Sequence, residues 1–254
     1  MQDLLKLAET AARRAGKCLL EAYAFDAGVI SDSGKDIKTE ADKAAEEVVL
    51  EALRPTGISI LSEESGLEEA KLAKADDGAK SQTLLWVVDP LDGTFNFTRG
   101  FPFCCVSIGL CNGLEPIQGV IYDFVRDQMF SGQVGKGVRC NSNPLSVSSV
   151  TEISMAALLT GFPSARDFGE SALADSILKV QRFKKIRMMG SAALSLAQVA
   201  AGHLDAYQEE DIWFWDVAAG LALVKAAGGV YTISEIKENW QLNVYAHNGN
   251  LNEA

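Results

Sequence analysis

At 254 residues and 48% hydrophobic content, the chain can bury one large core or two tightly joined halves. No apolar run approaches the roughly 18 to 20 residues of a membrane-spanning helix. A net charge of −11 opposes the adhesion to nucleic acid that rests on lysine and arginine displacing counterions from phosphate. Five cysteines, an odd number with no CxxC pair, and a start without a signal-peptide core imply a soluble protein of the reducing cytoplasm.

Residues 2 to 23 read as a helix, with Leu4, Leu7, Ala8, Ala11, Ala15 and Leu19 spaced three or four apart. The stretch "FDAGVISDSGKD" reads as a mobile loop, broken by two glycines. Thr39 opens a second helix, to about Leu53, with Asp42 at capping-box spacing and an apolar stripe of Ala45, Val48, Val49, Ala52 and Leu53. "ISIL" is a short strand running into "SEESG", and "LLWVVD" is the next strand. The period then shortens. "FCCVSIGLC", "IQGVIYDFV" and "DQMFSGQVG", separated by turn residues, predict an antiparallel meander.

Beyond a soft boundary near residue 145, α and β alternate again. "ALLTGF" is a strand, a helix follows near 168 to 183, and "KIRMMG" precedes a helix over 191 to 202. "LDAYQE" then leads to a helix over 216 to 227 and to "GGVYTI". The expected fold class is α+β, mixed sheets layered with helices. Its halves, 1–145 and 146–254, should pack as a single functional unit.

The acids of chemical interest stand at strand ends: Glu63 and Glu64 after "ISIL", Asp89 and Asp92 after "LLWVV", and Asp216 after "DIWFW". Carboxylates converging on one crevice stay ionised only if cations join them. Hard divalent cations suit oxygen ligands, and Mg²⁺ takes a few carboxylates while sharing phosphate oxygens. With His203 and His247 as the only histidines, zinc is disfavoured and magnesium is expected. In Asp89-Pro90-Leu91-Asp92-Gly93-Thr94, Pro90 stiffens the turn so that both carboxylates and the Leu91 carbonyl can face one side. Gly93 leaves room for close backbone approach, and a helix starting at Gly93 or Thr94 would offer free N–H groups to a phosphate. Asp and Gly are common turn residues, so a capped turn is the plain alternative. Five specified residues at about 5 to 7% each would coincide in such a chain only on the order of 10⁻⁴ of the time.

"WVVDPLDGTFNFTRGFPFCCVSIGL" resembles the signature of the inositol monophosphatase family, Mg²⁺-dependent, lithium-sensitive sugar and inositol phosphatases. "WDVAAGLALVKAAGG" resembles its second signature, "ILSEESG" its acidic motif, and "DIKTEADKAAE" its early helix start. "GVIYDFVRDQMF", "GKG" and "GSAALSLAQVAAGHLDAY" follow in family order, so the resemblance runs from about residue 35 to 230. It implies an αβαβα sandwich, a phosphate monoester as substrate, and a homodimer with two or three Mg²⁺ per site.

By this resemblance Glu63 would bind metal and help hold the attacking water, and Glu64 would lie beyond it. Asp89 would bridge two metals, the Leu91 carbonyl would complete one, and Asp92 and Asp216 would hold the other. Gly93 and Thr94 would bind phosphate through backbone N–H groups, while the Thr94 hydroxyl, paired with Asp42, would orient or deprotonate the water. On the residues alone Asp42 is a helix cap; both roles can coexist. Glu209 would accept hydrogen bonds from substrate hydroxyls, and Ser191 and Ala192 would line the sugar pocket. Trp215 reads as packing, and Lys35 either as a solvated lysine or as part of a loop over the metals. After "GGVYTI" the chain departs from the pattern and lacks the family's closing helix, where no implied metal ligand lies.

Three functions follow. The first is an inositol or sugar monophosphatase. The second uses the same site on fructose 1,6-bisphosphate, histidinol phosphate or an adenosine 3',5'-bisphosphate, with Arg166, Lys184 or Arg187 meeting a second phosphate. The third is a regulatory interaction module in nucleic-acid processing, with no direct nucleic-acid contact expected at this charge.

Overall fold

Alanines on one face let the first two helices lie close together. In the computed structural model α1 (Gln2–Phe25) packs along α2 (Glu40–Leu53), with Ala8, Ala11, Ala12, Ala15, Ala41 and Ala45 all buried. The structure describes residues 1–25, 29–33, 36–69, 84–162 and 169–252. Lys35 and Arg166 lie outside them. Part of the expected loop between the helices is instead a hairpin, β1 (Val29–Ser33) paired antiparallel with β2 (Asp36–Thr39). Both strands carry β-branched residues, Val29 and Ile30 before Gly34 and Ile37 and Thr39 after it, which favour pairing over the glycine signal.

The next strands are β3 (Ser59–Ser62), β4 (Gly66–Glu68), β5 (Leu84–Asp92), β6 (Cys105–Asn112) and β7 (Glu115–Asp123). With β8 (Gln128–Gln133), β9 (Gly137–Cys140) and β10 (Asn143–Leu145) they form a sheet of order β10-β9-β8-β7-β6-β5-β3-β4 among the described residues. Only β3 and β5 run parallel in it; the meander is longer than expected by two short strands. A second mixed sheet, β12-β11-β13-β15-β14, is built from β11 (Ala157–Thr160), β12 (Lys185–Arg187), β13 (Ala206–Trp213), β14 (Val230–Ser234) and β15 (Gln241–His247).

Period-2 alternation explains the layering. On β5, Trp86 and Val88 join the core beneath α1 and α2, while Leu85 and Val87 face the opposite core. That second core holds α5 (Ala192–Ala200) and α6 (Phe214–Ala226) between the sheets, packing Ala218, Leu221 and Val224 with Tyr207, Leu242 and Val244. On the far face of the second sheet, Val180 of α4 (Glu170–Val180) packs on Leu158 and Ala206. The result is the layered αβαβα sandwich.

Glycine sets how closely α6 approaches the first sheet. Gly109, Gly119 and Gly132 stand side by side on β6, β7 and β8, and a Cβ on Gly119 would come within 2.1 Å of the Ala219 carbonyl oxygen. Gly119→Ala should therefore cost about 3 kcal/mol or more, at the severe end of overpacking, because the helix backbone itself must move. Urea unfolding checks this; a midpoint equal to wild type would mean that α6 shifts freely.

Candidate active site

Parallel pairing puts the acids at one end of the molecule. In the β3–β5 register Ser62 faces Val88, and the Glu63 N–H continues the ladder onto the Val88 carbonyl at 3.2 Å, so Glu63 follows beside Asp89. On the second sheet Thr160 of β11 faces Gln208 of β13, which sets Gly161 against Glu209; a Cβ on Gly161 would meet Oε1 at 2.6 Å. The carboxyl ends of both parallel pairs thus open on one cavity of about 590 Å³. Glu63, Asp89, Leu91, Asp92, Gly93 and Thr94 line it from the first half, and Ser191, Ala192, Glu209 and Asp216 from the second.

Strand β5 runs further than expected, through Pro90 to Asp92, because its register with β6 breaks between Asp89 and Asp92, where a proline costs no ladder bond. The Asp89 carboxylate accepts the Leu91 N–H at 3.0 Å, which fixes the turn. Asp216 stands not at a strand end but in the first turn of α6, since β13 continues to Trp213 and the helix starts at Phe214. There its carboxylate gains a hydrogen bond from the Trp213 main chain and the favourable end of the helix dipole.

The acids burden one another. Asp89 is 1% exposed, and burial, then Glu63, Asp92 and Asp216, push its proton affinity well above the usual carboxylate range. Asp216 is pushed well up in the same way, by burial and then by Glu63, Asp92 and Glu209. Asp92 rises to about 6; burial lifts it, and hydrogen bonds from Ser191, Ala193, Ala192 and Cys105 hold it down. The Ala193 N–H lies 2.7 Å and the Ala192 N–H 3.3 Å from its oxygens, so Asp92 ties β5 to the start of α5. Ser191 caps that helix, accepting the Leu194 N–H at 3.2 Å while donating to Asp92.

Among the described residues no three Asp, Glu, His or Cys side chains close a metal cage on their own. The donor set is open: acidic oxygens from three chain segments and the Leu91 carbonyl, with no thiolate or imidazole lining the cavity among the described residues. That suits a cation which keeps waters and shares ligand oxygens, as Mg²⁺ does, and suits zinc poorly.

Asp42 serves two partners. One oxygen accepts the Thr39 N–H at 2.8 Å and the Thr39 hydroxyl, completing the capping box; the other lies 3.0 Å from the Thr94 hydroxyl. Burial raises its proton affinity more than the Thr39 and Thr94 hydrogen bonds lower it. Thr94 opens α3 (Thr94–Thr98) behind Gly93, which sits at φ 88 with the Phe103 carbonyl 2.9 Å from where a Cβ would stand. Only glycine fits there.

Several residues that position the site gave no signal in the sequence. Glu46, outside the apolar stripe expected for α2, is buried and accepts Ser62 Oγ at 2.6 Å, Ser65 N at 3.1 Å and Ser65 Oγ at 2.9 Å, gripping the loop that carries Glu63. The Asn96 side chain bonds the Phe103 and Met189 carbonyls at 2.9 and 2.8 Å, joining α3 to the Ser191 loop. Tyr207 donates to Glu209 Oε2 at 2.7 Å. Trp215 packs on the core as expected but also lines the cavity, stacked on Trp213.

The chain as a whole resembles known proteins. The chain is 38% identical over 224 residues to the Nus factor SuhB of Xylella fastidiosa, covering 86% of this chain and 78% of that one. It is 36% identical over 236 residues to inositol monophosphatase 3 of Solanum lycopersicum, covering 90% and 85%. The solved inositol monophosphatase of Anabaena superposes with a TM-score of 0.81 at 37% identity, covering 98% and 92%. A family model matches residues 1–253, and with it the carboxylates, the Thr94 turn and the layered sheets resolve into one statement: the chain belongs to the inositol monophosphatase family.

Proposed function

We propose that the chain, a phosphoric monoester hydrolase by family, is a Mg²⁺-dependent enzyme that hydrolyses inositol monophosphate or a similar sugar phosphate. The observation that carries this reading is the meeting of Glu63, Asp89, Asp92 and Asp216 on one cavity with the Thr94–Asp42 pair and Glu209. Glu63, Asp89, the Leu91 carbonyl, Asp92 and Asp216 would hold two or three Mg²⁺. When bound, the cations supply charge neutralisation and a more acidic water.

The chain's own groups do the rest. Asp42 accepts the Thr94 hydroxyl hydrogen bond, which leaves a Thr94 lone pair to accept one from the attacking water; as the water oxygen bonds phosphorus and the opposite bond to the sugar oxygen breaks, its proton passes through Thr94 toward Asp42 and the sugar oxygen leaves with the bonding pair, protonated from solvent. Backbone N–H groups of Gly93 and Thr94, left free by the start of α3, face the phosphate. Glu209, braced by Tyr207, accepts sugar hydroxyls beside Ser191 and Ala192. The two halves on either side of residue 145 act as one unit, since Asp92 and Asp216 come from different halves.

No lysine, arginine or histidine among the described residues lines the cavity, which disfavours substrates with a second phosphate inside it. Arg187 donates to the Ile186 carbonyl and Lys184 reaches Met155, both exposed and off the cavity. The name of the Xylella relative favours a second reading, a role in nucleic-acid processing. A charge of −11 makes a protein contact the better route to it. A homodimer would cover Met155, Ile186 and Met188, exposed on and beside the edge strand β12. No helix among the described residues is long and apolar enough to cross a membrane.

Phosphate release from a panel of inositol, sugar, histidinol and nucleotide phosphates with Mg²⁺, with and without lithium, tests the reading. Inositol or sugar monophosphates should lead and lithium should inhibit; a strong preference for a bisphosphate would overturn the substrate class.

A further inference from the structure

Aromatic rings from three separate chain segments gather at the cavity, where the chemistry proposed for the site has no use for them. Phe95 and Phe162 line it while remaining 57% and 39% exposed, and Trp213 and Trp215 line it from the junction of β13 and α6. Scattered exposed aromatics need no explanation, but a set converging on one concave surface does.

Trp213 is the best placed of them. Its ring lies 4.9 Å from that of Trp215, with 7° between the planes, and Trp215 packs against the main core. An indole held flat on an anchored indole has little rotamer freedom left to lose when a ligand covers it. The strand that carries Trp213 also carries Glu209, and between them the register with β15 shifts at a bulge where Asp211 takes φ 59 and its N–H bonds Asn243 Oδ1 at 2.9 Å. The bulge brings Ile212 and Trp213 to the cavity together. Glu209 and Trp213 thus offer, on one rigid element, an acceptor for hydroxyl protons and a flat π face.

Those two features select for one kind of alcohol. A ring bearing hydroxyl groups can satisfy Glu209 at its edge while laying a C–H face on the indole; an open-chain polyol can satisfy the carboxylate but has no flat face. A cavity of about 590 Å³ leaves room for such a ring beside the phosphate end. With no cation lining it among the described residues, this face competes with no charged anchor for the alcohol part.

We propose that Trp213, laid flat on Trp215, is a stacking face for the ring of the substrate alcohol and sets a preference for ring-borne over open-chain phosphate esters. The proposal rests on the phosphatase reading above. The test compares wild type, Trp213→Ala and Trp213→Phe on myo-inositol 1-phosphate and glycerol 2-phosphate. The ratio of kcat/KM for ring over open chain should fall roughly tenfold in Trp213→Ala, mostly through KM, and return to within about threefold of wild type in Trp213→Phe. An unchanged ratio in Trp213→Ala overturns the proposal even if both activities drop, since a purely structural role would lower both alike. Tryptophan fluorescence gives a readout independent of turnover. Adding myo-inositol 1-phosphate should change wild-type emission more than glycerol 2-phosphate does, and the difference should vanish in Trp213→Phe. A wild type that releases no phosphate defeats the phosphatase reading, and the fluorescence still decides the stacking face: equal responses to the two esters defeat it.

Discussion

Asp89→Asn should lower Mg²⁺-dependent turnover by at least roughly 10³-fold while making the metal-free protein more stable. The two effects share a cause. Asp89 is buried amid Glu63, Asp92 and Asp216, and each raises its proton affinity beyond what burial alone does. Asparagine keeps the oxygen that accepts the Leu91 N–H at 3.0 Å but removes the charge that repels the other acids and would attract a cation. Relief on the order of 1 to 3 kcal/mol would raise the melting temperature by roughly 3 to 8 °C in a chain of this size. Thermal unfolding in chelator, beside phosphate release in Mg²⁺, checks both; near-normal turnover would remove Asp89 from the site.

The same crowding gives the wild type an inverted pH dependence when metal is absent. A carboxyl whose folded affinity is raised holds its proton longer in the native than in the unfolded state, so its stabilising contribution is complete below the ordinary value near 3.8 and lost as pH rises through the folded value. For Asp92 that window closes at about 6, and for Asp89 and Asp216 it extends higher. Metal-free protein should therefore show a lower urea midpoint at pH 7.5 than at pH 5, and added Mg²⁺ should reverse the difference.

Asp42→Ala should reduce kcat by roughly 10²- to 10³-fold and also cost about 1 to 2 kcal/mol of stability, because this carboxylate both caps α2 and holds Thr94. The neighbouring changes separate the roles. Thr39→Ala removes the other half of the capping box and should cost similar stability with turnover within about fivefold of wild type. Thr94→Ala should cost most of the turnover and little stability. If Asp42→Ala lost no more activity than Thr39→Ala, Asp42 would be a cap alone.

Much of this site is legible along the chain because its parts are local. "VVDPLDGT" holds two acids, the carbonyl between them and the glycine turn within one strand end, and the periodicity of α1 and α2 gives their buried faces. What the sequence hid depends on distant partners. Glu46 looks like any acid on a helix, and only the approach of Ser62 and Ser65 makes it a buried acceptor. Asp216 looked like the start of a helix because "DIWFW" offers no Ser, Thr, Asn or Asp at the true cap, Trp213. The β1–β2 hairpin was masked by its glycines, and β9 and β10 are too short for alternation to show. Trp213 carried no signal, since stacking on Trp215 two residues on requires the strand-to-helix corner between them.

The most direct test is phosphate release from myo-inositol 1-phosphate as Mg²⁺ is titrated into chelator-treated protein whose folding has been verified. The proposed chemistry predicts no release without metal and a saturable rise as Mg²⁺ is added, absent in Asp89→Asn. Release that ignores the chelator, or none at any Mg²⁺ concentration, would contradict it.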